Sequence, residues 1–101
     1  MANKSPYNSI FSSKAEKEIV KSWIWYEDRQ RGLGDRFLKE IKARIHTIEK
    51  APDKFPTRFK SYKETQVPVF PFLIIYRINN KKRLIRIVSI FHTSRNPGKK
   101  Y

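Results

Sequence analysis

The chain has 101 residues, no cysteine, and 23 Lys and Arg against 9 Asp and Glu, a formal charge of +14 at neutral pH. That length supports one domain around one core, taken here as residues 1–101, and the missing thiols exclude a disulfide framework and a thiolate metal centre. No segment is long and apolar enough to cross a bilayer and the first six residues lack the apolar run of a leader, so the expected location is the cytoplasm.

A charge of this size selects polyanionic partners, whether nucleic acid, an anionic membrane surface or an acidic protein, and does not choose among them.

In chain order, residues 7–11 form a short first strand. Ser13-Lys14-Ala15-Glu16 has the spacing of a capping box, in which serine and glutamate satisfy each other's exposed amides, and predicts a helix starting there. Ala15, Ile19, Trp23 and Tyr26 recur at three- to four-residue spacing, with Val20 and Ile24 widening the apolar stripe. Arg31-Gly32-Leu33-Gly34 interrupts it with two glycines that permit a reversal. Asp35 then caps a second helix, whose face of Phe37, Leu38, Ile41, Ile45 and Ile48 runs to the stop at Pro52. Helices joined by so short a loop pack antiparallel.

Residues 53–60 show no period and read as an irregular connection. Residues 62–67 make a polar strand closed by Pro68, which suits a sheet edge because proline cannot donate to the ladder. Residues 72–78 and 83–91, rich in Ile, Val, Tyr and Phe, are strong strands, and Asn79-Asn80 between them tolerates the positive φ of a tight hairpin. A basic tail, residues 92–101, follows. The predicted class is α+β: a short N-terminal strand, an antiparallel helical hairpin, then a three-stranded antiparallel meander with the helices on one sheet face.

Alternation divides the final hairpin into faces. Phe72, Ile74, Tyr76 and Ile78 share one side, with Ile85, Ile87, Ser89 and Phe91 expected beside them against the helices. Arg77, Arg86 and His92 are then left on an open, cationic face, an assignment that a one-residue slip would reverse.

Other chemistry is quickly bounded. His46 falls off the apolar stripe with no ligand partner at suitable spacing, so no metal site is expected. Gly32-Leu33-Gly34 follows no strand and is a turn, not a phosphate loop. One C-terminal histidine and no cysteine support no nucleophilic triad. Lys81-Lys82-Arg83 is a solvated hairpin tip that would also meet a phosphate backbone.

The order of elements and several words within them resemble the RelE/ParE toxin family of bacterial type II toxin-antitoxin systems, often labelled plasmid stabilisation proteins. The words are Ser12-Ser13-Lys14-Ala15-Glu16, Trp25-Tyr26-Glu27, Gly32-Leu33-Gly34-Asp35-Arg36-Phe37, Phe70-Pro71-Phe72 with Ile75-Tyr76-Arg77, and Phe91-His92-Thr93-Ser94-Arg95-Asn96-Pro97. The resemblance implies a toxin without cofactor or membrane association, held inactive in a hetero-oligomer by a cognate antitoxin whose acidic segment folds along it. Trp23, Trp25 and Tyr26 would anchor that segment. Trp23 and Tyr26 lie on the apolar stripe and fit core packing better; Trp25, off the stripe, is the better partner contact.

The family divides by target. RelE-like members cut messenger RNA on the ribosome with basic side chains and a C-terminal tyrosine or histidine, without metal. For such an endoribonuclease His92 would be general acid or base, Arg77, Arg86 and Arg95 would hold phosphate or target, and Tyr101 would stack on or orient a base. ParE-like members inhibit DNA gyrase by binding it and need no catalytic groups. Leu73 stands where RelE-like nucleases carry an arginine, and Gly-Leu-Gly-Asp with Phe-Pro-Phe and His-x-x-Arg-Asn-Pro is closer to ParE-like sequences. His92 has the plainer alternative of a strand-end residue bonded to backbone. The expected function is gyrase inhibition by binding, with the nuclease as alternative and a basic nucleic-acid-binding module without toxicity as second alternative.

Overall fold

The computed structural model describes residues 7–101; residues 1–6, including the expected leader-free terminus, lie outside the described residues. The elements are β1 (Asn8–Phe11), α1 (Ser13–Arg29), α2 (Leu33–Lys50), a 3-10 turn (Pro52–Lys54), β2 (Thr57–Phe59), β3 (Tyr62–Gln66), β4 (Phe72–Asn79), β5 (Leu84–His92) and a second 3-10 turn (Pro97–Lys99). They build one sheet of order β1-β5-β4-β3-β2, in which β1 runs parallel to β5 and the other pairs are antiparallel. No helix among the described residues is long and apolar enough to cross a membrane.

The first helix starts one residue away from the predicted box. Ser12, not Ser13, is the cap: its Oγ accepts from the Ala15 amide at 3.0 Å and donates to the Val88 carbonyl at 2.7 Å. Its own amide donates to the Ile87 carbonyl at 2.9 Å. Ser12 is therefore still extended, continuing the pairing of β1 with β5, and the sheet decides where the helix begins.

Asp35 does not cap α2. Gly32 occupies the cap position with φ of 88°, in the left-handed region that glycine adopts freely. The amides there are satisfied from the neighbouring helix, because the Glu27 carboxylate accepts from Gly32 N at 2.8 Å and Gly34 N at 2.9 Å. Asp35 sits in the first turn and accepts from Trp23 Nε1 at 3.0 Å.

Both helices cover one sheet face, where Ala15, Phe37, Ile41, Ile45 and Ile48 pack with Phe72, Ile74, Tyr76, Ile85, Ile87 and Ile90. Tyr76 is fully buried, its phenol donates to the Pro52 carbonyl at 2.6 Å, and burial raises its pKa well above the usual range, with the Asp53 charge adding to the rise. Val20 and Ile24 do not widen this core. They lie on the outer side of α1, 56% and 47% exposed.

Three sheet expectations are corrected. The supposed irregular segment 53–60 contains a 3-10 turn and β2, so β3 is an inner strand and the meander has four strands. The hairpin closes through Asn79 Oδ1, which accepts from Lys82 N at 3.0 Å, while the left-handed residue is Arg83 (φ 53°) rather than an asparagine. A bulge also interrupts β5: Ile75 pairs with Ser89 and Tyr76 with Ile87, leaving Val88 as the extra residue. Beyond it the alternation changes phase. Ile90 joins the helix-facing core, Ser89 and Phe91 move to the other face, and His92 comes opposite Phe72 instead of sharing a face with Arg77 and Arg86.

Candidate target-binding surfaces

The second sheet face is not uniformly open. Leu73, Ile75, Ser89 and Phe91 lie there, and all but the half-buried Leu73 are buried. Their cover is the C-terminal tail, held at three places. Arg95 pairs with Glu18 at 2.9 Å and lies over the Phe91 ring at 5.7 Å. Lys14 Nζ donates to the carbonyls of Lys99 and, at 3.1 Å, Lys100. Lys100 pairs with Glu64 at 3.2 Å, and the Tyr101 phenol donates to the same carboxylate.

Tyr101 closes an aromatic cluster, its ring 4.8 Å from both Phe59 and Tyr62. Its pKa is pushed up to about 12, first by burial, then by the hydrogen bond to Glu64 and by that carboxylate's charge; Arg58 opposes the rise. A phenol so held keeps its proton and orients toward Glu64.

Glu18 has a second task. Past Phe11, β1 no longer covers the edge of β5, and Glu18 Oε1 accepts there from the Ile90 amide at 2.9 Å and Ser89 Oγ at 2.8 Å. Neither Glu18 nor Glu64 stood out in the sequence. Glu18 lies three residues from Ala15, on the inner side of α1, and Glu64 is the last carboxylate residue in the chain, signals that gain meaning only once the tail's path is known.

The predicted site residues divide into separate groups. His92 is half-buried at the end of β5, its Nδ1 facing the Ser94 amide (3.1 Å) and hydroxyl (2.7 Å), its ring edge-on to Phe72 at 5.0 Å. Arg77 and Arg86 are direct cross-strand partners, both exposed, on the opposite face and near the other end of the hairpin. Arg77 is five residue steps along the strand from Phe72, the partner of His92, roughly 16 Å at about 3.3 Å per step. His92 and Arg95 are linked through the backbone, Arg95 N donating to the His92 carbonyl at 3.0 Å, but the side chains of His92, Arg95 and Tyr101 each engage a different partner: Ser94, Glu18 and Glu64.

The aromatics of the helical hairpin differ in what they touch: Tyr26 packs against the core, whereas Trp23 is not part of it. Trp23 binds Asp35 and packs beside Gly34, where a Cβ would come within 2.8 Å of the Trp23 carbonyl. Tyr26 packs on Phe37 and Phe70, and burial raises its pKa. Trp25 is 51% exposed, with the Arg29 guanidinium 3.7 Å above its ring. Val20, Ile24 and Trp25 are apolar side chains left exposed on α1. His46 is exposed beside Glu49, at 3.7 Å.

A helical hairpin laid on one face of a mixed five-stranded sheet, with a basic tail folded on the other, defines a toxin-like α+β protein of the RelE/ParE type. The chain belongs to the ParE toxin family: the family described as ParE toxin of the type II toxin-antitoxin system parDE matches residues 10–97. It is accordingly the toxin component of such a system. A search of curated protein sequences gives no match. Among solved structures, the fold is similar to one from the chromosomal ParDE toxin-antitoxin system of P. aeruginosa, at TM-score 0.74 and 12% identity, covering 88% of this chain and 98% of that one. It is also similar to a chain of the intact E. coli RelBE complex, at 0.64 and 16%, covering 88% and 99%. The isolated E. coli RelE toxin gives 0.63 and 16%, covering 91% and 89%.

Proposed function

We propose that this toxin acts in the cytoplasm by binding DNA gyrase, and that a cognate antitoxin with an acidic segment neutralises it. The observation that carries this reading is that each group an RNA-cleaving site would need is already engaged by a partner within the protein. His92 Nδ1 faces Ser94, Arg95 is paired with Glu18, and the Tyr101 phenol, its pKa about 12, is committed to Glu64. Cleavage by a ribose hydroxyl requires a proton acceptor, a proton donor and cations around one phosphate. A toxin that works by binding requires only a stable surface. The exposed Trp25 with Val20 and Ile24 on α1 offers the apolar anchors that an antitoxin segment uses, on a chain whose charge attracts acidic partners.

Induced expression in bacteria, with DNA breakage and cleavage of translated messages scored together, tests the target. DNA breakage with intact messages, unchanged in His92→Ala, is the expected result. Message cleavage that disappears in His92→Ala would replace gyrase with the ribosome. Coexpression with a candidate antitoxin should restore growth, and Trp25→Ala should weaken that rescue.

A further inference from the structure

After Glu64 the chain contains no Asp or Glu, while eight Lys and Arg follow. The sheet gathers part of this run with two earlier cations. Arg77 and Arg86 stand directly opposite each other on β4 and β5, Lys81 and Lys82 lie in the loop joining those strands, and Arg58 and Lys60 flank from the β2 side. Like charges placed directly opposite across strands destabilise a sheet. Neither Arg77 nor Arg86 has a carboxylate partner among the described residues. Among the described residues the Arg77 guanidinium lies over the Tyr62 ring, 5.2 Å away. A repulsive pair kept without a counter-ion is a site waiting for one.

We propose that this end of the sheet binds the phosphate backbone of duplex DNA, so that the toxin grips the DNA held by its target enzyme as well as the enzyme; the second half of this statement rests on the gyrase reading. Phosphates suit the patch better than a protein partner does. Half of its cations, Lys60, Lys81 and Lys82, are lysines, which are depleted from protein interfaces, and a phosphodiester strand supplies closely spaced anions to lysine and arginine alike. Duplex suits it better than single strands. Unpaired bases need free aromatic faces, and here Phe59 stacks with Tyr101 at 4.8 Å and has the Lys60 ammonium 5.3 Å above its ring.

Fluorescence anisotropy of short labelled duplexes of two unrelated sequences, titrated with the full chain at several salt concentrations and without gyrase, tests the proposal. Both duplexes should bind alike. Arg77→Gln with Arg86→Gln should weaken binding and reduce the slope of log affinity against log salt by about 1.8, at about 0.9 per lost phosphate contact. Arg36→Gln with Lys39→Gln on α2 removes the same charge and should change the slope much less. Melting should show that the Arg77/Arg86 variant is folded and no less stable, since it loses a repulsive pair. Equal losses in the two variants, failure of the parent to bind duplex at low salt, or preferential binding of poly-glutamate would each overturn the inference. DNA binding kept while gyrase inhibition is absent would overturn only the proposed target; inhibition with no DNA binding would overturn only this site.

Discussion

At Gly34 the two helices meet with no room for a side chain. A Cβ there would lie 2.8 Å from the Trp23 carbonyl and 2.9 Å from Glu27 Oε1, and the backbone atom cannot swing aside. Gly34→Ala should therefore cost about 1–3 kcal/mol, the usual range for overpacking, measured by urea unfolding. The phenol of Tyr101 gives a residue-scale prediction with a sign. Its pKa is raised to about 12 in the folded protein from the ordinary tyrosine value of about 10, so the native state holds the proton more tightly than the unfolded chain. The stabilisation is complete below pH 10 and is lost as pH rises toward 12. Subtracting the alkaline absorbance titration of Tyr101→Phe from that of the parent should leave a transition centred near 12; one centred near 10 would show that the tail is not docked on Glu64.

Among the elements, β5 depends most on its surroundings, for its edge beyond Phe11 is finished by α1. Glu18→Ala would strip the partner from the Ile90 amide and Ser89 hydroxyl and release Arg95. Leaving buried polar groups unpaired costs about 1–3 kcal/mol, and faster hydrogen exchange at Ile90 should locate the loss. This level also shows where the sequence could be followed and where it could not. The helices and the two strong strands carry enough apolar periodicity to be placed to within a residue or so, except the start of α2, which lies three residues before the one an Asp35 cap implies. Strand β2, three exposed residues, carries none, and so β3 was misplaced at the edge. The bulge at Val88 leaves no mark in an unbroken run of β-forming residues, yet that one residue moved Phe91 and His92 to opposite faces from those expected. The site was legible only as a list: Arg77 and Arg86 share a face as alternation required, whereas the grip of Glu18 and Glu64 on the tail depends on contacts more than thirty residues apart.

For the molecule as a whole, net charge sets the response to salt. With +14 on 101 residues, mutual repulsion opposes compaction, and screening relieves it. The ion pairs at Glu18 and Glu64 work in the other direction, but partly exposed pairs contribute only about 0–1 kcal/mol each. Adding sodium chloride should raise the melting temperature of the free toxin. A fall would mean that the two tail pairs outweigh the repulsion of the whole surface.

The strand order also governs how the protein comes into being. Strand β5, near the end of the chain, lies between β1 and β4, and Ser9 pairs with Ile85 across nearly the full length. While the ribosome is still upstream of Leu84, β1 has no neighbour and β4 lacks one side, so the nascent chain can pair only β2, β3 and β4 beside its helical hairpin. Pairings this distant close late and slowly. A message that ended before Leu84 would accordingly yield not a shorter toxin but a chain with an incomplete sheet open to proteolysis, and the active form appears only once β5 has been made.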